Sequence, residues 1–278
     1  MSESSFIARV RSKLDEMHPA ERRLGELICD FPGEMASYSA SELARLAGVS
    51  NATVTRFVRH LGYRSFSEAR RSAREESRTG SRLFLESTDA GSDSLWLESY
   101  SAQSVENLEQ TLTWTGPDQI DEIANTILSS RKVWVIGYRA NHSFATYIHW
   151  QLSQVIENIT VIPSGGQTMG EHLVNLNPDD CVIVFGLRRR VLQLNAILAS
   201  VVGSGAKLLY LTDEAAAGQA GTTWHIKCQT RTPGPLFDHV SVMAISYALV
   251  SRVIELSGAS GRTRLHEIEK LHDQLSEL

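Results

Sequence analysis

The chain has 278 residues, 42% apolar and 21% charged, with 7 Pro, 19 Gly and 3 Cys. That is enough to bury the cores of two ordinary domains, and it excludes a disulfide-stapled miniprotein. The net charge of −5 is unevenly spread: residues 1–80 carry 13 Lys and Arg against 11 Asp and Glu, and the remainder 14 against 21. Cys29, Cys181 and Cys228 lie far apart with no CxxC pair, which speaks against a zinc site and for a reducing compartment. No apolar run approaches about 18 residues, and the start MSESSFIARVRSK lacks a signal-peptide core. We therefore expect a cytoplasmic protein with no membrane partner.

The first third reads as successive helices, because apolar residues recur at three- and four-residue spacing. Phe6, Ile7, Val10 and Leu14 form one stripe, ended by His18-Pro19. Leu24, Leu27, Ile28 and Phe31 form a second, closed by Pro32-Gly33. Ser39 stands three residues before Glu42 in a capping-box pattern and opens a short helix that Gly48 breaks. Ser50 caps the next helix, whose Val54, Phe57, Val58 and Leu61 face inward, while Asn51, Thr55, Arg56 and Arg59 face elsewhere. Between 39 and 74 the seven arginines 45, 56, 59, 64, 70, 71 and 74 face only Glu42 and Glu68, a basic excess suited to a polyanion or to a solvated helix face.

Residues 77–94 are polar and Gly/Ser-rich and read as a hinge. Helical patterns at 95–114 and 118–130 follow. After Arg131 the pattern changes to short apolar runs at 133–136, 159–162, 181–185, 208–211 and 224–228, with helical stretches near 142–157, 168–175, 190–203 and 236–257 separating most of them. Strands alternating with helices predict a parallel sheet covered on both faces, a doubly wound α/β domain. Its ligands belong beyond the carboxyl ends of the strands, where Gly137, Ser164-Gly165-Gly166, Gly186 and Thr212-Asp213 mark the turns. Arg262 to Leu278 reads as a terminal helix. The expected organisation is an all-α helix-turn-helix domain over 1–80, a linker and connecting helix over 81–115, the α/β doubly wound domain over 116–260 and the last helix over 261–278.

The spacing Ala44, Gly48, Val54, Phe57 is that of a helix-turn-helix, where a small residue lets two helices approach, a glycine takes the turn and apolar residues lock the second helix. That second helix would read double-stranded DNA. Ser50, Asn51, Thr53, Thr55, Arg56 and Arg59 are the candidates for base edges or phosphates, and Arg64 for a phosphate clamp.

The run SASELARLAGVSNATVTRFVRHLGYRSFSEAR resembles the N-terminal domain of the RpiR-type bacterial transcriptional regulators, through Val49, Ser50, Ala52, Thr53, Val54, Arg56, Phe57, Leu61, Gly62 and Phe66. The resemblance implies a C-terminal sugar isomerase (SIS) domain, a doubly wound sheet that holds sugar phosphates in G-x-G-x-S and S-x-S-G-x-T turns. Here the first turn is Gly137-Tyr138-Arg139-Ala140-Asn141, with Ser143 two residues on, and the second is Gly186-Leu187-Arg188-Arg189-Arg190-Val191, which has no hydroxyl. The phosphate cradle does not carry over. Arg139 and the triplet Arg188, Arg189, Arg190 would either grip an acidic or phosphorylated metabolite, helped by Gly137, Asn141 and Ser143, or pair with acids of this chain or a partner.

The expected function is a DNA-binding transcriptional regulator, a homodimer or homotetramer, controlled by a small anionic effector. No cofactor, metal or catalytic residue is expected, since the histidines lack ligand spacing. The alternatives are a phosphosugar isomerase with an appended helical domain, for which Glu171 and His172 form the one adjacent acid and imidazole near a strand end, and a sheet domain that only dimerises.

Overall fold

A computed structural model of the chain describes residues 6–30, 38–78, 96–216, 218–233 and 236–277. They fall into two compact units, one built on residues 1–101 with 232–237, the other on 102–231 and 238–278. Phe31, the Pro32-Gly33 stop and nearly all of the expected hinge lie outside the described residues.

The first unit contains α1 (Phe6–Lys13) with a 3-10 turn at Leu14–Glu16, α2 (Pro19–Asp30), α3 (Ala40–Leu46), α4 (Asn51–His60) and α5 (Phe66–Arg78). Pro19 starts α2, where its fixed φ and missing N–H cost nothing. The core joins one face of every helix: Phe6 and Val10 of α1, Leu24 and Ile28 of α2, Leu43 and Ala44 of α3, Val54, Phe57 and Val58 of α4, and Ala69 and Ala73 of α5. The capping box of α3 forms in both directions, with the Glu42 N–H donating to Ser39 Oγ at 3.3 Å and the Ser39 N–H donating to Glu42 Oε2 at 2.7 Å. Those bonds hold the Glu42 carboxyl below its ordinary pKa.

A long helix, α6 (Trp96–Trp114), follows. Its second half is tied to the chain beyond the last strand. The Asn107 amide donates to the Arg231 carbonyl at 2.7 Å and to Asp238 at 3.0 Å, and Thr111 Oγ1 accepts from the Gln229 N–H at 2.9 Å.

The second unit continues with α7 (Pro117–Ser129), β1 (Val133–Gly137), α8 (Asn141–Leu152), β2 (Ile159–Ile162), α9 (Gly170–Leu173), β3 (Cys181–Gly186), α10 (Leu194–Gly203), β4 (Lys207–Asp213), β5 (Trp224–Cys228), α11 (Val240–Leu256) and α12 (Gly258–Leu275). The five strands are all parallel, in the order β2-β1-β3-β4-β5. Every residue of β1 and β3 is buried, because helices cover both faces. Val133, Val135, Ile183 and Phe185 pack with α7, α8 and α11, and the alternate residues Trp134, Ile136, Val182 and Val184 pack with α10. Chain order reverses between β1 and β3, so the crevice of this topology opens at their carboxyl ends.

Several boundaries differ from the sequence reading. The helix expected at 168–175 is only Gly170–Leu173, and the one expected from 190 starts at Leu194. Residues 187–193 are instead a non-helical turn, in which Arg190 Nε donates to the Gly186 carbonyl at 2.7 Å. The terminal helix begins at Gly258 rather than 262. The apolar face of α11 is core: Val242, Ile245, Leu249 and Val253 are buried. Among the described residues no single helix is long and apolar enough to cross a membrane.

Candidate DNA-reading helix and effector cleft

The expected reading helix, α4, is presented by a tight turn. Gly48 has φ +63°, a conformation that favours glycine, and the Val49 N–H donates to the Ala44 carbonyl at 2.8 Å. Ala44 is buried where α3 meets α4. Val54, Phe57 and Val58 are buried against the helical core, and this fixes which side of α4 faces solvent: Asn51, Thr55, Arg56 and Arg59 are all exposed, as is Arg64 beyond the helix end.

Three expected readers have local duties. Thr53 is 4% exposed. Its N–H donates to Ser50 Oγ at 3.2 Å, and its hydroxyl lies 3.0 Å from that oxygen and accepts from Arg56 Nη2 at 3.4 Å. Thr53 is therefore part of the helix cap and not a side chain displayed to a groove. Ser50 caps the helix and stays exposed. The Thr55 hydroxyl donates back to the Asn51 carbonyl at 3.2 Å, so it offers a ligand only an acceptor. Sequence reasoning missed Ser41 on α3, whose Oγ accepts from the Asn51 amide at 3.2 Å and orients it; a serine on an exposed helix face gives no periodic signal.

In the second unit the turns after β1 and β3 do meet, as expected of this topology. A Cβ on Gly137 would come within 2.7 Å of the Asn141 carbonyl carbon, so the chain turns into α8 only with glycine there. Asn141 is 4% exposed and its amide donates to the Leu187 carbonyl at 3.0 Å, while its Oδ1 is buried without a partner. Asn141 thus joins two turns. Arg139 has φ +56° and is exposed, and Ser143 is exposed in the first turn of α8.

The arginine triplet does not gather at the crevice as a ligand grip. Arg188 is 8% exposed; its N–H donates to Asp213 Oδ2 at 3.0 Å and its Nε lies 3.4 Å from Asp213 Oδ1. Arg190 also pairs with Asp213. Asp213 ends β4, on the side of β3 away from β1. Of the two fates open to the triplet, pairing within the chain holds for Arg188 and Arg190, because a buried guanidinium needs a counter-charge. Arg189 is half-buried.

A cleft of about 380 Å³ lies on the other side of β3, between the turn after β1, the turn after β2, α9 and the start of α10. Its polar lining is Tyr138, Gln167, Thr168, Gln193 and Ser200, none of which the sequence singled out, since uncharged residues scattered over three elements make no motif. Glu171 and His172 stand beside it. Glu171 bonds the Thr168 hydroxyl, which lowers its pKa, and the His172 ring lies 3.0 Å from Gln167 Oε1. An ionised surface carboxylate is poorly suited to serve as a general base near neutrality. Two further histidines border the carboxyl end: His239 packs on Phe144 with ring centroids 5.1 Å apart, and His225 stacks on Tyr210 at 5.2 Å. Burial lowers the pKa of both. Among the described residues no group of three or more His, Cys, Asp or Glu is placed to hold a metal.

Comparison with known proteins places this geometry in context. Residues 5–78 match the family described as helix-turn-helix domain, rpiR family, and residues 126–250 match the SIS domain family. The chain is 25% identical over 222 residues to an uncharacterized HTH-type transcriptional regulator in the aarA 3′ region of Providencia stuartii, covering 76% of each chain. Among solved structures it is similar to the sugar isomerase domain of an RpiR transcription factor from Sphaerobacter thermophilus, at TM-score 0.58 and 24% identity over 63% of this chain and 99% of that one. It is also similar to the Vibrio vulnificus NanR protein complexed with ManNAc-6P, at TM-score 0.56 and 17% identity over 98% of this chain and 99% of that one.

Proposed function

The chain belongs to the RpiR-type transcriptional regulators, pairing an rpiR-family helix-turn-helix domain with a SIS domain, and on that footing we propose that it binds operator DNA through α4 under the control of a small molecule held in the SIS domain. The observation that carries the DNA reading is the sidedness of α4. Buried Val54, Phe57 and Val58 leave Asn51, Arg56 and Arg59 in one solvent-facing set, whose donors suit base edges and phosphates. Ser50 at the cap, Thr55 and Arg64 flank that set.

The effector acts by binding two arrangements of the regulator with different affinity, which is the only way a ligand shifts such an equilibrium. The NanR neighbour was solved with a sugar phosphate, which supports a sugar-like effector here. Gly137, Asn141 and Ser143 at the turn into α8, with Arg139 and Arg189 at the rim, are the proposed surroundings of its site. Arg188 and Arg190 drop out as direct ligands because Asp213 holds them. A homodimer or homotetramer in the cytoplasm, working on a palindromic operator without catalysis, completes the reading.

Gel-shift titration of the full chain against a selected operator, with and without candidate metabolites, tests it. Sequence-specific binding that a metabolite changes is expected. Operator binding untouched when Arg56 and Arg59 are both replaced by Ala would overturn the assignment of α4, and turnover of a phosphosugar would establish the isomerase instead.

A further inference from the structure

We propose that the cleft between the turns after β1 and β2, α9 and α10 binds an uncharged, hydroxyl-bearing molecule of single-ring size and selects against its phosphorylated form. This rests on the reading of the SIS domain as the ligand-sensing unit and names the class of ligand. At about 380 Å³ the cleft is at the small end of the roughly 300–1,000 Å³ range of small-molecule sites. It has room for one substituted ring and not for a dinucleotide.

The first observation is the lining. No charged side chain lines the cleft among the described residues. A phosphate brought in there would lose its water without gaining a cation. Pro163, Met169 and Ile197 supply an apolar wall that suits the carbon face of a ring.

The second is the direction of the protons. Ser200 Oγ donates its only proton to the Ala196 carbonyl at 3.0 Å, and Thr168 Oγ1 donates its own to the Glu171 carboxylate. Toward a ligand both oxygens are acceptors. Gln167 is the opposite case: its Oε1 is occupied by the Ser164 N–H at 3.0 Å and by His172 at 3.0 Å, which leaves its NH₂ as donor. Tyr138 and Gln193 line the cleft as well. The cleft therefore needs a partner that donates at Thr168 and Ser200 and accepts at Gln167. An alcohol does both. A phosphate at neutral pH offers acceptors to acceptors, with the ionised Glu171 behind one of them.

The third is where the arginines go. Two of the three cations of the turn after β3 are Arg188, 8% exposed, and Arg190; the third, Arg189, is half-buried and, like Arg139 of the turn after β1, is not among the residues that line the cleft. Arg188 and Arg190 are held by Asp213 at the end of β4, and the strand order puts β4 across β3 from β1 and β2.

Isothermal titration of the full chain with myo-inositol, D-glucose, D-mannose and D-ribose, each against its monophosphate and against inorganic phosphate, tests the proposal. At least one uncharged probe is expected to bind, with its monophosphate at least about tenfold weaker. Ala196→Phe, which fills the cleft, should abolish that binding. Thr168→Val, which removes one acceptor and serves if the first variant fails to fold, should weaken it roughly 2- to 10-fold. Tighter binding of a monophosphate, silence from all four uncharged probes, or affinity unchanged in a folded variant would overturn it. The gel shift separates this from the functional reading: a monophosphate that alters operator binding sinks the charge selection and leaves the regulator standing, whereas an uncharged probe that fills the cleft without altering operator binding does the reverse.

Discussion

Asp213 holds Arg188 twice, accepting its backbone N–H at 3.0 Å and lying 3.4 Å from its guanidinium Nε. The same carboxylate pairs with Arg190. One acid at the end of β4 thus organises the whole turn after β3, and three successive arginines are tolerated there because two share a buried counter-charge. Removing one partner of a buried pair leaves an uncompensated charge, at a cost of about 3–5 kcal/mol. Asp213→Asn should lose most of that in urea unfolding. Arg190→Gln should lose less, since the Arg190 side chain is 18% exposed against 6% for Arg188. Equal stability of wild type and Asp213→Asn would show the pairing to be incidental.

On α4 the exposed side chains and the capping residues should separate in a binding assay. Arg56→Ala is expected to weaken operator binding by roughly 1–3 kcal/mol and relax specificity, while Arg64→Ala, as a phosphate contact, should weaken all sequences alike and reduce the salt slope by about one. Thr53→Val should instead lower the melting temperature of the helical domain and leave the preferred sequence unchanged. A changed operator preference in Thr53→Val would return that residue to the reading face.

The reciprocal bonds of Ser39 and Glu42 at the start of α3 predict a measurable cap energy. Ser39→Ala should destabilise the helical domain by about 0.5–2 kcal/mol. Ser50→Ala, at the start of α4, should cost a similar amount and also weaken DNA binding, because that cap positions the reading helix. Amide hydrogen exchange that stays unchanged in the first turns of α3 and α4 would contradict this.

His225 and His239 have pKa values lowered from 6.5, mainly by burial. In the unfolded chain each binds its proton near pH 6.5, so on acidification the unfolded state takes up protons before the folded state does. Their contribution is fully present above about pH 6.5 and declines as pH falls toward the folded values. Stability of the SIS domain should therefore drop between pH 7 and 5 in thermal melts, and His239→Gln should flatten that slope. A slope unaffected by His239→Gln and by His225→Gln would assign the loss to carboxylates.

Much of this protein is legible from local pattern. The stripe of Val54, Phe57 and Leu61, the capping pair Ser39 and Glu42, and the buried runs of β1 and β3 depend on neighbours a few residues away. Spacing therefore located the helix-turn-helix and the alternating strands of the SIS domain. The arginine triplet was visible too, as was the alternative that acids of the same chain would neutralise it. Choosing between a ligand grip and an internal pair required the tertiary structure, because Asp213 lies 23 residues beyond Arg190 along the chain and reaches it only through the parallel pairing of β3 with β4. The cleft was hidden for the same reason: Tyr138, Gln167, Gln193 and Ser200 come from separate elements, and their proton directions depend on bonds to backbone and side chains that only folding supplies. Helix and strand signals are short-range and periodic, whereas the partner of a buried charge and the free lone pair of a hydroxyl are set by whatever the fold brings within about 3 Å.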